Sequence, residues 1–200
     1  TGWAILDYYM RRKAAYYWFR RAAAPLKVIV RQLNGHLITR LVNDTLEPAN
    51  VTVDLGWWRL DGTEKVVVSY PVDVQANGMV EVASAKTPTA SERDPRQWLY
   101  AAVLRGRDGV AMDQSVWLER PYRELALEKP AIKAVPIADN WLEISSPVFA
   151  HAVHTEDHGH EVLSDNWFDL LPGVPVRVRL APGIEPASIH FKTLGSPNDN

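Results

Sequence analysis

The run Val28-Ile29-Val30-Arg31-Gln32-Leu33-Asn34-Gly35-His36-Leu37-Ile38-Thr39-Arg40-Leu41-Val42 decides the fold. Two apolar, β-branched stretches flank Asn34-Gly35, a dipeptide that takes up two successive positive φ angles and so joins antiparallel strands through a two-residue turn. The same grammar repeats downstream. Val51/Val53/Leu55 leads to Asp61-Gly62. Val66/Val68/Tyr70/Val72 leads to Asn77-Gly78 and on to Val80/Val82. Trp98/Tyr100/Ala102/Leu104 leads to Asp108-Gly109, then to Val110/Met112 and Val116/Leu118. Alternation with period two buries one face of each strand, and turns every 8–12 residues or so across about seven strands are the spacing of a β-sandwich. Residues 86–95, with Pro, Ser, Thr and charges, interrupt the alternation and read as a longer loop.

A second module starts near Leu125. Its strand candidates are residues 131–135, 141–144, 148–153 and 174–180, with Ile189-His190-Phe191 as a last strand and a loose polar tail over 195–200. The two modules open alike. Pro25-Leu26-Lys27 leads to Asn34-Gly35-His36-Leu37-Ile38, and Pro130-Ala131-Ile132-Lys133 leads to Asp139-Asn140-Trp141-Leu142-Glu143-Ile144. Pro172-Gly173 suits a turn in which Pro fixes one φ and Gly supplies a positive one. The face Val174/Val176/Val178/Leu180 then enters the core, with Arg177 and Arg179 outward.

Upstream of Pro25 the pattern changes. Residues 3–24 lack Pro and are rich in Ala, Arg and aromatics, with Leu6, Met10, Ala14 and Tyr17 at helical spacing. A helix over residues 4–23 is expected, with a break near Met10-Arg11-Arg12. Trp3, Tyr8, Tyr9, Tyr16, Tyr17, Trp18 and Phe19 make it apolar on more than one side, so it needs neighbours to bury it, and nothing else in the chain reads as a helical partner. The fold class is mostly β: one α-helix over 1–24, then sandwich modules over 25–124 and 125–200.

Composition excludes several functions. Of 200 residues, 46% are hydrophobic, and 22 basic against 24 acidic side chains leave a formal charge of -2, without the basic excess of a nucleic-acid binder. No apolar run reaches the roughly 20 residues that span a bilayer, and the first residues do not read as a secretory signal. No Cys is present, which removes disulfides, thiolate metal sites and Cys nucleophiles. The lack of an initiator Met suggests a fragment or a processed product. A bacterial cytoplasm or periplasm is favoured. The sequons Asn43-Asp44-Thr45 and Asn50-Val51-Thr52 matter only in a eukaryotic secretory pathway.

Two stretches carry a family resemblance. Trp3-Ala4-Ile5-Leu6-Asp7-Tyr8-Tyr9-Met10-Arg11-Arg12-Lys13, with Ala15-Tyr16-Tyr17, Arg20-Arg21-Ala22 and Ala24-Pro25, resembles the end of the catalytic barrel in β-mannosidase-like members of glycoside hydrolase family 2. Met10 stands where that family has Gly, and Arg12 where Pro is frequent. Ser164-Asp165-Asn166-Trp167-Phe168-Asp169-Leu170-Leu171-Pro172-Gly173 is similar to a run in the C-terminal immunoglobulin-like domain of the same enzymes. Leu41-Val42-Asn43-Asp44-Thr45 and Asp61-Gly62 look like their first sandwich. The resemblance implies two immunoglobulin-like sandwiches preceded by the last barrel helix. It also implies a parent enzyme that hydrolyses β-linked sugars with retention, through two carboxyls about 5 Å apart. Both family carboxyls are Glu on barrel strands preceding that helix, so no Asp or Glu here matches them. The expected function is a non-catalytic accessory region whose partners are the parent's barrel and, through it, carbohydrate. No cofactor is expected, and the helix offers a route to a homo-oligomer. The rival is a free-standing immunoglobulin-like module holding carbohydrate or protein.

Site candidates are few. Trp3 matches a family Trp near the barrel's active-site side and is a substrate-binding candidate by that resemblance. Trp57-Trp58 suggests sugar stacking. Neighbouring strand residues face opposite ways, so one Trp faces the core and the other is either exposed or packed between domains; Trp58 is the substrate-binding candidate. His151, His154, His158 and His160, with Glu156, Asp157 and Asp165 nearby, form the most metal-like cluster, of which His154, His158 and His160 are the candidate ligands. Their spacing fits no zinc motif, and the segment also reads as a polar hairpin tip around Gly159. Ser164, His160 and Asp157 supply the residue types of a hydrolytic triad, without the nucleophile elbow that would support one. Arg11-Arg12 and Arg20-Arg21 read as a solvated helix face or as holders of a neighbouring domain through carboxylates.

Overall fold

A computed structural model of the chain describes residues 4–156 and 162–194. It forms two compact units, Ala24–Ala126 and the pairing of Thr1–Ala23 with Leu127–Asn200.

The first unit holds β1 (Leu26–Leu33), β2 (His36–Asn43), β3 (Ala49–Arg59), β4 (Lys65–Val74), β5 (Gly78–Lys86), β6 (Trp98–Arg105) and β7 (Ala111–Trp117). They make two antiparallel sheets, ordered β1-β2-β5 and β4-β3-β6-β7. Asn34 (φ 51°) and Gly35 (φ 75°) adopt the two left-handed conformations that the β1–β2 turn requires. The core between the sheets is built from alternate residues: Val28 and Val30 from β1, Leu37 and Leu41 from β2, Val51, Val53 and Leu55 from β3, and Tyr100, Ala102 and Leu104 from β6. At one edge side chains join the sheets. The Val28 and Val30 N–H groups donate to Asp113 Oδ2 and Ser115 Oγ, each at 3.0 Å. Lys27 pairs with the same carboxylate at 3.3 Å. Burial pushes the Asp113 carboxyl up, and Lys27 and the Val28 N–H oppose it. In β3, Gly56 lets two backbones approach closely: a Cβ there would lie 2.1 Å from the Val66 carbonyl oxygen.

In the second unit, β8 (Lys133–Ile137), β9 (Trp141–Ser145) and β12 (Val176–Arg179) form one sheet in the order β12-β9-β8, and β10 (Ala150–Val153) pairs with β11 (Phe168–Leu170). The β8–β9 turn uses Asp139 (φ 60°) and Asn140 (φ 62°), so the echo between the two modules is one hairpin geometry used twice. The core gathers Leu142, Ile144, Ala150, Val153, Leu163, Phe168, Leu170, Val178 and Leu180. Leu171 O accepts from Val174 N at 3.0 Å around Pro172-Gly173, with Gly173 at φ 68°, as its turn chemistry predicts.

The mostly-β class with one helix and two sandwich modules is thus observed, and three local expectations are corrected. The helix α1 spans only Ala14–Ala22. Residues 5–13 instead form a tight hairpin, with Met10 N–H donating to Asp7 O and Lys13 N–H to Ile5 O, both at 3.0 Å. The Asp7 carboxylate accepts the Tyr9 and Arg11 N–H groups and pairs with the Arg11 guanidinium. Met10 closes this turn at φ 62°, a left-handed conformation that explains Gly at this point of the family pattern. The last strand over 189–191 is replaced by a short 3-10 helix, Pro186–Ser188, and a single bridge between His154 and Lys192. β11 lies inside the Ser164–Gly173 run, where no strand is expected. The tail 195–200 lies outside the described residues. Among the described residues no helix is long and apolar enough to cross a membrane.

Candidate functional site

The two sequence signatures meet in the second unit. The last turn of α1 presents Arg20 and Arg21, where cations suit the negative end of a helix. Arg20 Nη1 donates to the Ser164 carbonyl. Arg21 grips three groups: Nη1 reaches Asp165 Oδ1 at 2.7 Å and Asn166 O at 2.9 Å, and Nη2 reaches Trp167 O at 2.8 Å. The carbonyl row is presented because residues 164–167 leave regular pairing, with Trp167 at φ 58°. Asn166, 2% exposed, locks the bend from inside. Its Oδ1 accepts the Thr155 N–H and its Nδ2 donates to Thr155 O, both at 3.0 Å. Burial raises the Asp165 carboxyl, while Arg21, the Asn166 N–H and Arg20 pull it down. Tyr17, 1% exposed, seats the helix. Among the described residues α1 has no partner α-helix; a guanidinium fork on a row of carbonyls holds it. This geometry joins elements.

The described members of the metal-like cluster have other partners. His151 Nδ1 lies 2.7 Å from Asp169 Oδ1, which also accepts the Ala152 N–H at 2.9 Å. Ala152 has φ 49° at the β10 bulge. His154 stacks on Trp167 with centroids 3.7 Å apart and planes within 5°, and its Nδ1 lies 2.8 Å from Ala152 O. Glu156 pairs with Lys192 and Asp165 with Arg21. Among the described residues no group of three or more His, Asp or Glu could hold a metal ion. His158, His160 and Asp157 lie outside the described residues, as does Trp3.

The tryptophans are also redistributed. Trp58, the stacking candidate, is 2% exposed, which corrects the expectation of an open ring there: no face of that indole is free for a sugar. Trp57 points to the core side, edge-on to Tyr100 at 5.2 Å and to Trp117 at 6.4 Å. The Arg93 guanidinium lies over Trp57 at 4.9 Å and over Trp98 at 4.1 Å. Sequence reading missed this stack, because Trp57 and Trp98 become neighbours only through the β3–β6 register. It also missed Asp169, although that residue lies within the quoted run.

Fold and node define the chain as a pair of immunoglobulin-like accessory sandwiches carrying an N-terminal helix. Residues 38–122 match the Mannosidase Ig/CBM-like domain and residues 127–194 the Ig-fold domain family of mannosidases. β-Mannosidase B of Thermothelomyces thermophilus is 28% identical over 98% of this chain and 26% of its own length. The fold is shared with the β-D-mannosidase of Dictyoglomus thermophilum, with a TM-score of 0.83 at 23% identity over 96% of this chain and 24% of that one. It is also shared with an exo-chitosanase of Amycolatopsis orientalis, with a TM-score of 0.64 at 18% identity over 97% and 28%. The chain belongs to the C-terminal immunoglobulin-like region of β-mannosidase-like glycoside hydrolase family 2 proteins. It spans about a quarter of the length of the relatives it matches.

Proposed function

We propose that the chain braces the catalytic barrel of a retaining glycoside hydrolase acting on β-linked sugars, a β-mannosidase, and contributes no catalytic group of its own. The observation that carries the reading is the node at Arg20 and Arg21, where the barrel-end signature is pinned onto the C-terminal signature. In this reading residues 1–24 are the end of the barrel, with α1 (Ala14–Ala22) as its last helix, and residues 25–124 and 125–200 the two sandwiches. The carbohydrate substrate is reached through the parent's barrel. The exposed side chains of Tyr8, Tyr9, Met10, Trp18 and Phe19, from 44% to 92% exposed, meet the rest of that barrel in the parent and pair two copies when the chain is alone. Large apolar patches on monomers are uncommon.

Two measurements test this. The DNA upstream of the Thr1 codon is expected to continue the reading frame into a barrel with two glutamates, and a start codon immediately before Thr1 would support a free-standing module instead. Sedimentation is expected to show association of the isolated chain that Phe19→Ser abolishes. A monomer at all concentrations refutes the pairing.

A further inference from the structure

Trp57, Trp98, Val66 and Val68 share one face of the β4-β3-β6-β7 sheet, because Trp57 pairs with Val66, Leu55 with Val68, and Trp98 lies one step diagonal to Trp57 across β3 and β6. Trp57 and Trp98 are half-buried, and Val66 and Val68 remain 50% and 53% exposed. At this end of the sandwich the apolar face is covered by the 87–97 loop, through Arg93 laid over both indoles. No hydrogen bond or ion pair to Arg93's guanidinium is described, and burial pulls this cation below its ordinary value while Glu64 opposes the shift. The loop is lightly held. Its described hydrogen bonds between residues 88 and 95 stay within it, as Thr89 to Glu92 and Asp94 to Arg96, and its ties to the rest of the unit lie near its ends: Thr87 N–H to Gly35 O, Gln32 Nε2 to Thr87 Oγ1, Leu60 N–H to Gln97 O, Arg59 Nη2 to Gln97 Oε1 and Ala126 N–H to Arg96 O.

We propose that Trp57 and Trp98 form a carbohydrate-binding platform in the first unit, closed by Arg93, which a β-linked hexopyranose oligomer displaces when it stacks on the indoles. The apolar C–H face of a pyranose suits an indole as the guanidinium face does, and the sugar brings no charge to desolvate. The displaced guanidinium regains its hydration in water. The choice of sugar rests on the reading of the parent as a β-mannosidase, whereas the platform itself rests on this geometry.

Calorimetric titration of the chain with β-1,4-mannohexaose and with cellohexaose tests the proposal without any turnover. The chain as it stands is expected to bind mannohexaose weakly. Arg93→Ala, a loop substitution expected to leave the far-ultraviolet dichroism unchanged, is expected to bind about tenfold more tightly, the equivalent of two surface cation–π contacts no longer broken. Adding Trp98→Ala to Arg93→Ala is expected to abolish the gain. Binding by Arg93→Ala no tighter than by the unaltered chain overturns the proposal, as does a gain that survives Trp98→Ala. A gain seen with cellohexaose alone upholds the platform and counts against the β-mannosidase reading of the parent.

Discussion

Replacing Arg21 by Ala removes three hydrogen bonds at once, to Asp165, Asn166 O and Trp167 O, at 2.7–2.9 Å. Hydrogen bonds to charged groups contribute roughly 1.5–3 kcal/mol each, but three from one guanidinium do not add, and the Arg21 and Asp165 side chains keep 23% and 25% exposure. A loss of about 3 kcal/mol follows. Arg21→Lys keeps the charge but not the planar fork, so it should lose about half of that. Asp165 sharpens the test, because its burial already raises its carboxyl. Without Arg21 the raised carboxyl lacks its largest counterweight. A raised folded-state value favours the protonated form, so this contribution is fully present below the ordinary carboxylate range and is lost as pH rises through the folded value. The stability gap between Arg21→Ala and the unaltered chain should therefore narrow as pH falls through that range. Adding Asp165→Ala to Arg21→Ala should recover part of the loss at neutral pH, since a stranded carboxylate costs more than an absent pair. Thermal unfolding followed by near-ultraviolet dichroism reads all three variants. At a few degrees per kcal/mol, Arg21→Ala should lower the midpoint of the second unit by about 6 °C or more. A shift under about 2 °C, or a gap that widens on acidification, would refute the reasoning.

Gly56→Ala drives a Cβ to 2.1 Å from Val66 O and 2.9 Å from Val67 Cα, both backbone atoms. The β3–β4 pairing should lose about 3 kcal/mol or more, seen as a lower denaturant midpoint for the first unit. Met10→Gly should act the other way. It relieves a left-handed conformation that costs an L-residue roughly 1–2 kcal/mol, less the entropy Gly adds to the unfolded chain. A gain of about 0.5–1 kcal/mol is expected in the same assay, and a loss would place Met10's side chain, rather than its φ, at the centre of the hairpin.

The sandwiches were legible because their information is local. Asn34-Gly35 and Asp139-Asn140 carry the turn geometry in the residues themselves, and period-two alternation places Val28, Val53 and Leu104 inside. What escaped was set by register and bulges. The β10 irregularity between Ala150 and Val153 turns His151 to Asp169 and His154 to Trp167, partners that nearness in sequence does not reveal. α1 read too long because aromatic and Arg residues at helical spacing continue through a hairpin that only Met10's φ reveals. Trp58 looked available because alternation fixes which way a side chain points, not what covers it. Arg93 on Trp57 and Trp98 needed the β3–β6 pairing to be known before the two indoles could be neighbours.

The account stands most directly on one assay: incubation of the purified chain with aryl β-mannoside, β-glucosaminide and β-galactoside. No turnover above the blank is predicted, because the proposed function places the paired carboxyls that retention requires on barrel strands outside these residues. Turnover well above the blank, abolished by a substitution within the 200 residues, would contradict it.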